Sequence, residues 1–144
     1  MDLEAALQTS ATPAAVVVFV AELDTYPQWM SLVHSARRLE ASEPTWDVEL
    51  RAKVGPFARS KRLRMVRSEF VEGGRTRIVF DRREVDGRQH AAWRLTITVW
   101  SEGTTTHLTM HLHYDGRFFA GVVESSLQHE IDAGRTRLAG LLGD

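Results

Sequence analysis

From Trp46 to Tyr114 apolar and polar residues alternate with a period of two, and this constrains the fold more than any other feature. Trp46, Val48, Leu50, Ala52 and Val54 alternate with Asp47, Glu49, Arg51 and Lys53, the pattern of a strand with one dry face. Gly55-Pro56 breaks that run. Residues 59–70 then form a second strand with Leu63 and Met65 inward, turned by Glu72-Gly73-Gly74. Residues 75–85 carry Ile78 and Phe80 on one face up to Asp86-Gly87, a hairpin signal. Residues 90–100 put Trp93, Leu95, Ile97 and Val99 in phase. After Glu102-Gly103, residues 105–114 align Leu108, Met110, Leu112 and Tyr114. All four prolines lie in the first 56 residues, so none interrupts the later ladders. The expectation is a meander of about five long antiparallel strands.

Past Asp115-Gly116 the period becomes helical. Phe118, Phe119, Val122, Val123, Leu127, Ile131, Leu138, Leu141 and Leu142 recur at three- and four-residue steps, with Glu124, Gln128, Asp132 and Arg135 opposite. A helix over residues 117–142 would be ~39 Å long at ~1.5 Å per residue, enough to lie along the dry face of the meander. Gly134 interrupts its stripe and points to a close approach or a slight bend.

Upstream, residues 3–9 suit a short first strand. Thr12-Pro13 supplies a cap and first residue for a helix over residues 14–23. Asp24 or Thr25 then caps a second short helix reaching about Val33. Repeats and linker-like stretches are absent, so one domain over residues 1–144 is expected. The fold class is α+β: a curved antiparallel sheet wrapped around a long C-terminal helix, with two short helices after the first strand.

Composition removes several functions. The formal net charge of -1 gives no global attraction to phosphate, which disfavours nucleic acid as the main partner. The absence of cysteine excludes disulfides, thiolate catalysis and thiolate metal sites. Apolar runs fall far short of the ~20 residues that cross a bilayer. The acidic start Met1-Asp2-Leu3-Glu4 does not read as a secretory signal, so the cytoplasm is the default location.

The order strand, two short helices, antiparallel strands and a terminal helix matches the helix-grip fold. Ala11-Thr12-Pro13, followed by Asp24-Thr25-Tyr26-Pro27-Gln28-Trp29, resembles the opening of bacterial START-like proteins of the SRPBCC superfamily, which includes polyketide cyclase/dehydrases. The stretch 84–93 (Glu-Val-Asp-Gly-Arg-Gln-His-Ala-Ala-Trp) resembles a hairpin of one actinobacterial branch. The resemblance covers essentially the whole chain. It implies a ligand cavity between sheet and helix, and it leaves the function open, because that superfamily holds carriers, receptors and cyclising enzymes.

Side chains in the inward phase are large and apolar: Trp46, Leu50, Leu63, Met65, Phe80, Trp93, Leu95, Ile97, Met110, Leu112, Phe119 and Val123. Either they line a ligand site or they fill the space as core. Two polar residues continue the same faces. Arg82 follows Ile78 and Phe80 and is placed to pair with a carboxylate or enolate. Tyr114 follows Leu112 and is placed to donate to a carbonyl. As the resemblance implies, these two are the candidate catalytic residues of a cyclase, with Arg82 stabilising an enolate. Alternatively, Arg82 snorkels to water or pairs with Glu84.

No motif calls for a cofactor, and no metal site is expected. His107 and His111 stand ~13 Å apart on a strand at ~3.4 Å per residue, and His111 and His113 lack a third ligand. His90 fits a hairpin end bonded to backbone better than a general base. Glu130 is expected at the helix boundary, paired with an arginine of the sheet. Phe57, beside Gly55-Pro56, is either a mouth gate or a core cap. The basic stripe Arg59, Lys61, Arg62, Arg64 and Arg67 is either a solvated face or a dock for an anionic membrane surface or an acidic carrier protein. The leading reading is a binder or carrier of an apolar small molecule (lipid, isoprenoid or polyketide-like). The alternatives are an aromatase/cyclase-type enzyme using Arg82 and Tyr114, and an accessory protein whose stripe docks a partner. Oligomeric state is not legible.

Overall fold

The computed structural model describes residues 1–84, 87, 91–122 and 124–144. One seven-stranded antiparallel sheet dominates it, in the order β1-β7-β6-β5-β4-β3-β2. The strands are β1 (Asp2–Thr9), β2 (Val33–Leu39), β3 (Thr45–Val54), β4 (Phe57–Val71), β5 (Arg75–Arg83), β6 (Trp93–Glu102) and β7 (Thr105–Tyr114). Helix α1 (Pro13–Val20), helix α2 (Leu23–Gln28, a 3-10 helix) and the terminal helix α3 (Glu124–Leu141) complete it. The expected meander spans β3 to β7 in sequence order. β1 returns to pair with β7, so the connection through α1 and α2 crosses from one edge of the sheet to the other.

The strand registers carry the sequence alternation into one dry face. Trp46 lies opposite Met65, Val48 opposite Leu63, Phe80 opposite Leu95, Ile97 opposite Met110, and Leu95 opposite Leu112. Each such cross-strand pair stacks apolar atoms on the concave side. The core gathers there, with Trp46, Phe80, Ile78 and Ile97 fully enclosed.

Four boundaries differ from expectation. β2 was not expected: the sequence pattern carries the second short helix to about Val33, where this strand begins. It carries His34, Ser35, Arg37 and Arg38 with no alternation, as edge strands do to discourage further pairing, and a bulge lies between Val33 and Ser35. Pairing with β3 makes it a strand. α1 stops at Val20 instead of Leu23, because Thr25 Oγ1 and the Tyr26 hydroxyl take over its last carbonyls. Thr25 Oγ1 donates to Phe19 O at 2.7 Å, and the Tyr26 hydroxyl to Val20 O at 2.9 Å. α2 is 3-10 in type, and its three residues per turn set Leu23 and Tyr26 on the buried side, a phase that Trp29 continues just past its end.

The fourth is the terminal helix. It begins at Glu124 in place of residue 117, because Gly121 takes φ +85°, outside the helical region. Phe118 and Phe119 mimic a helical stripe in sequence, yet a turn delivers them into the core. The Asp86-Gly87 hairpin and His90 fall outside the described residues, apart from Gly87, and so does Val123.

Candidate ligand-binding site

Between the concave face, α2 and α3 lies a cavity of about 140 Å³. β3 and β4 supply Val48, Leu50, Leu63 and Met65 to its wall. β6 and β7 supply Trp93, Leu95, Met110 and Leu112, and β1 adds Leu3 and Ala5. The rest comes from segments that cover the sheet: Leu23, Tyr26, Trp29, Met30, Leu32, Val33, Phe118, Phe119 and Ile131. Glu4, exposed, is the one charged residue among those described in the lining. A ledge of aromatic rings forms part of the wall. Trp93 stacks on Tyr114 at 4.7 Å between centroids, and Phe118 and Phe119 pack near Trp93 at 6.1 Å each.

The segment 24–29 builds its side of the site by local hydrogen bonds. Asp24 Oδ1 accepts the indole N–H of fully buried Trp46 at 2.8 Å. Thr25 and Tyr26 finish α1, as described above, and Trp29 packs on Tyr26 at 4.7 Å. α3 then docks on this segment at Gly134, where an added Cβ would meet Trp29 O at 2.9 Å and Met30 Cε at 2.7 Å. On the other side, Arg59 Nη1 donates to the carbonyls of Arg117, Phe118 and Ala120 at 2.9–3.0 Å, which fixes the turn that presents Phe118 and Phe119.

Of the residues singled out in the sequence, Leu50, Leu63, Met65, Trp93, Leu95, Met110, Leu112 and Phe119 meet around the cavity. Trp46, Phe80 and Ile97 do not reach it. They are fully buried deeper in the sheet, with Trp46 packed edge-on against Phe80 at 5.5 Å. Arg82 also lies outside the lining, half-buried, its Nη1 donating to Ala91 O at 3.2 Å. Tyr114 sits behind Trp93. Its hydroxyl accepts the Phe119 N–H at 3.3 Å, and burial pushes that phenol above its ordinary value. The two candidate catalytic groups therefore do not converge on the cavity.

Contributions from β1 and the α2 segment escaped sequence reasoning, as did the particular residue that α3 supplies, Ile131. Leu3 and Ala5 alternate visibly, and Leu23, Tyr26 and Trp29 follow a three-residue step. Those signals were legible as burial but not as cavity. Elsewhere, Glu130 bonds Ser31 rather than an arginine. The basic stripe divides: Arg62 faces Asp47 at 3.5 Å, whereas Arg67 turns inward to donate to Ala21 O at 2.6 Å. Phe57 is 76% exposed at its hairpin tip, so it does not cap the core. His111 and His113 both contact Asp2 Oδ1, at 2.8 and 3.0 Å, on the outer face of β7. No helix among the described residues is long and apolar enough to cross a membrane.

A curled antiparallel sheet closed by a C-terminal helix defines the START-like, helix-grip class. Solved structures share this fold. A START superfamily protein from Mycobacterium smegmatis matches at 15% identity and TM-score 0.65, covering 97% of this chain and 98% of its own. A protein from Chromobacterium violaceum matches at 16% identity and TM-score 0.66, covering 99% and 97%. Ginseng major latex-like protein 151 from Panax ginseng matches at 8% identity and TM-score 0.66, covering 100% and 98%. No curated protein matches by sequence. The chain belongs to the family described as polyketide cyclase / dehydrase and lipid transport, whose model matches residues 2–143.

Proposed function

We propose that this chain acts as one domain that binds or carries an apolar small molecule in the cavity between sheet and α3. The observation that carries this reading is a cavity of about 140 Å³ whose described lining is apolar but for Glu4. A cavity of ~150 Å³ lined by aliphatic and aromatic groups stays dry and admits a benzene-sized ring. The space therefore suits one ring, or one apolar segment of a larger molecule. Burial of ~200 Å² of ligand surface at ~25 cal/mol per Å² contributes ~5 kcal/mol before ordering costs. The family's lipid-transport members support the same reading.

The test is native mass spectrometry of protein purified from its own host, alongside Leu95→Trp, which puts a larger ring into the cavity. An apolar compound is expected to accompany the wild type and to be lost from a folded Leu95→Trp protein. Wild type that carries nothing, or equal occupancy in both, refutes the proposal.

A further inference from the structure

Charge is unevenly spread along this chain. Residues 50–68 hold seven of its 18 lysines and arginines, including Lys53 and Lys61, and no acid. The remaining residues hold the other eleven against all 19 acids, so the net charge of -1 conceals one basic segment on an otherwise acidic molecule. That segment is the β3–β4 hairpin.

The end of the hairpin is apolar. Val54 lies opposite Phe57, and Gly55, at φ +61°, closes the turn between them. Gly55, Pro56, Phe57 and Ala58 all face water, and Phe57 is 76% exposed, more than any other large hydrophobic residue described. A lone exposed apolar side chain needs no explanation. This one stands at a protruding tip with cations behind it on both sides. Lys53 and Arg51, both exposed, lie one and three residues back from Val54, or ~3 and ~10 Å at ~3.4 Å per residue. They point to the outer face, whereas Arg59 and Lys61 share the inner phase of Phe57. Arg117 is exposed on the turn that Arg59 holds. None of these five makes an ion pair with a described residue: Arg51 Nε donates to Ser60 Oγ at 3.4 Å, and Arg59 to backbone carbonyls. Farther down the hairpin the pattern reverses, with Arg62 facing Asp47 and Arg67 facing Glu22. Unbalanced charge therefore gathers around the apolar tip. The tip also adjoins the cavity wall, since an added Cβ on Gly121 would meet Val54 Cγ1 at 3.5 Å.

We propose that the tip of the β3–β4 hairpin docks this protein on an anionic lipid surface, with Phe57 entering the boundary between headgroups and acyl chains and Arg51, Lys53 and their neighbouring cations meeting the lipid phosphates. Aromatic rings settle at that boundary, and exposed lysines and arginines are drawn to anionic headgroups. A stable protein partner needs ~800 Å² of matched surface on each side. One ring on a narrow tip offers little of that, while a bilayer interface yields to it. The docking stands apart from the cavity reading, because it requires no bound ligand.

The experiment sediments the full chain at low salt with vesicles of phosphatidylcholine alone, or of phosphatidylcholine with one-third phosphatidylglycerol. The wild type is expected to bind the anionic vesicles about tenfold more tightly, or better. Phe57→Ser should weaken that binding about tenfold or more, and Arg51→Glu combined with Lys53→Glu about twentyfold or more. Val18→Ser removes a side chain 64% exposed on α1, away from the hairpin, and should leave binding unchanged. All these positions face water, and circular dichroism checks that each variant stays folded. Wild type that ignores anionic vesicles overturns the inference, as does a Val18→Ser loss equal to that of Phe57→Ser. Binding lost on charge reversal but untouched by Phe57→Ser also overturns it, as the mark of a basic surface suited to an acidic protein.

Discussion

Gly134 and Gly140 lie in the same helix, α3, and the structure assigns them opposite fates. An added Cβ at Gly134 would meet Trp29 O at 2.9 Å, Met30 Cε at 2.7 Å and Met30 Sδ at 3.2 Å, whereas at Gly140 nothing lies within 4 Å. Alanine improves helix propensity by ~1 kcal/mol at an interior position. At Gly140 that gain stands unopposed, reduced near the helix end, so Gly140→Ala is expected to stabilise by ~0.5 kcal/mol. At Gly134 the Met30 methyl can swing aside, but the Trp29 carbonyl is backbone and also accepts from Arg137. Overpacking costs ~1–3 kcal/mol in general, and against a backbone atom that cannot swing away it falls in the upper part of that range, ~2–3 kcal/mol. After subtraction of the propensity gain, Gly134→Ala is expected to destabilise by ~1–2 kcal/mol, a fall in Tm of ~4–8 °C for a chain of this size. Urea unfolding of both variants and the wild type measures this directly. Met30 displaced from Gly134 has the cavity beside it, so binding of a benzene-sized apolar probe should weaken as well. A Gly134→Ala protein as stable as the wild type, with Gly140→Ala showing its gain, would refute the close docking of α3 on the Trp29–Met30 backbone.

Asp24→Ala strips fully buried Trp46 of its acceptor and should cost ~1–3 kcal/mol in urea unfolding, with Asp24→Asn losing clearly less because it keeps an oxygen there. Arg59→Ala frees the carbonyls of residues 117, 118 and 120, so hydrogen exchange in residues 117–122 should quicken about tenfold; unchanged exchange would show that the turn holds itself. Partial burial raises the Asp81 carboxyl, but hydrogen bonds from Arg94 and Ser68 outweigh it and hold it below 3.8. A depressed folded value means that the carboxylate's stabilisation is full above the unfolded value and is lost as pH falls through the folded one. The stability gap between wild type and Asp81→Asn should therefore be constant near neutrality and shrink in acid below about pH 4; a gap that widens in acid would contradict the assignment.

What the sequence determined by itself is whatever depends on local periodicity. The alternation from Trp46 to Tyr114 dictates strands with one dry face, because consecutive side chains in a strand must point to opposite sides. The Thr12-Pro13 start dictates where α1 begins: Thr12 Oγ1 accepts the Ala15 N–H at 3.2 Å. Residues in phase on those strands were bound to face one interior, and eight of those named from sequence meet at its hollow. Tertiary structure decided what periodicity does not encode. β2 has no pattern of its own and is a strand because β3 offers it a ladder. Phe118 and Phe119 share the spacing of α3 but belong to a turn held by Arg59, 58 and 59 residues away from the carbonyls of Arg117 and Phe118 in sequence. Whether a given inward side chain fills the core or borders empty space depends on how closely α2 and α3 approach the sheet. That distance is set by contacts such as Gly134 on Trp29, between groups more than a hundred residues apart. Trp46 and Trp93 are therefore equivalent in the sequence pattern and different in the molecule. Asp24 pairs the indole of the first inside the core, while the ring of the second borders the cavity.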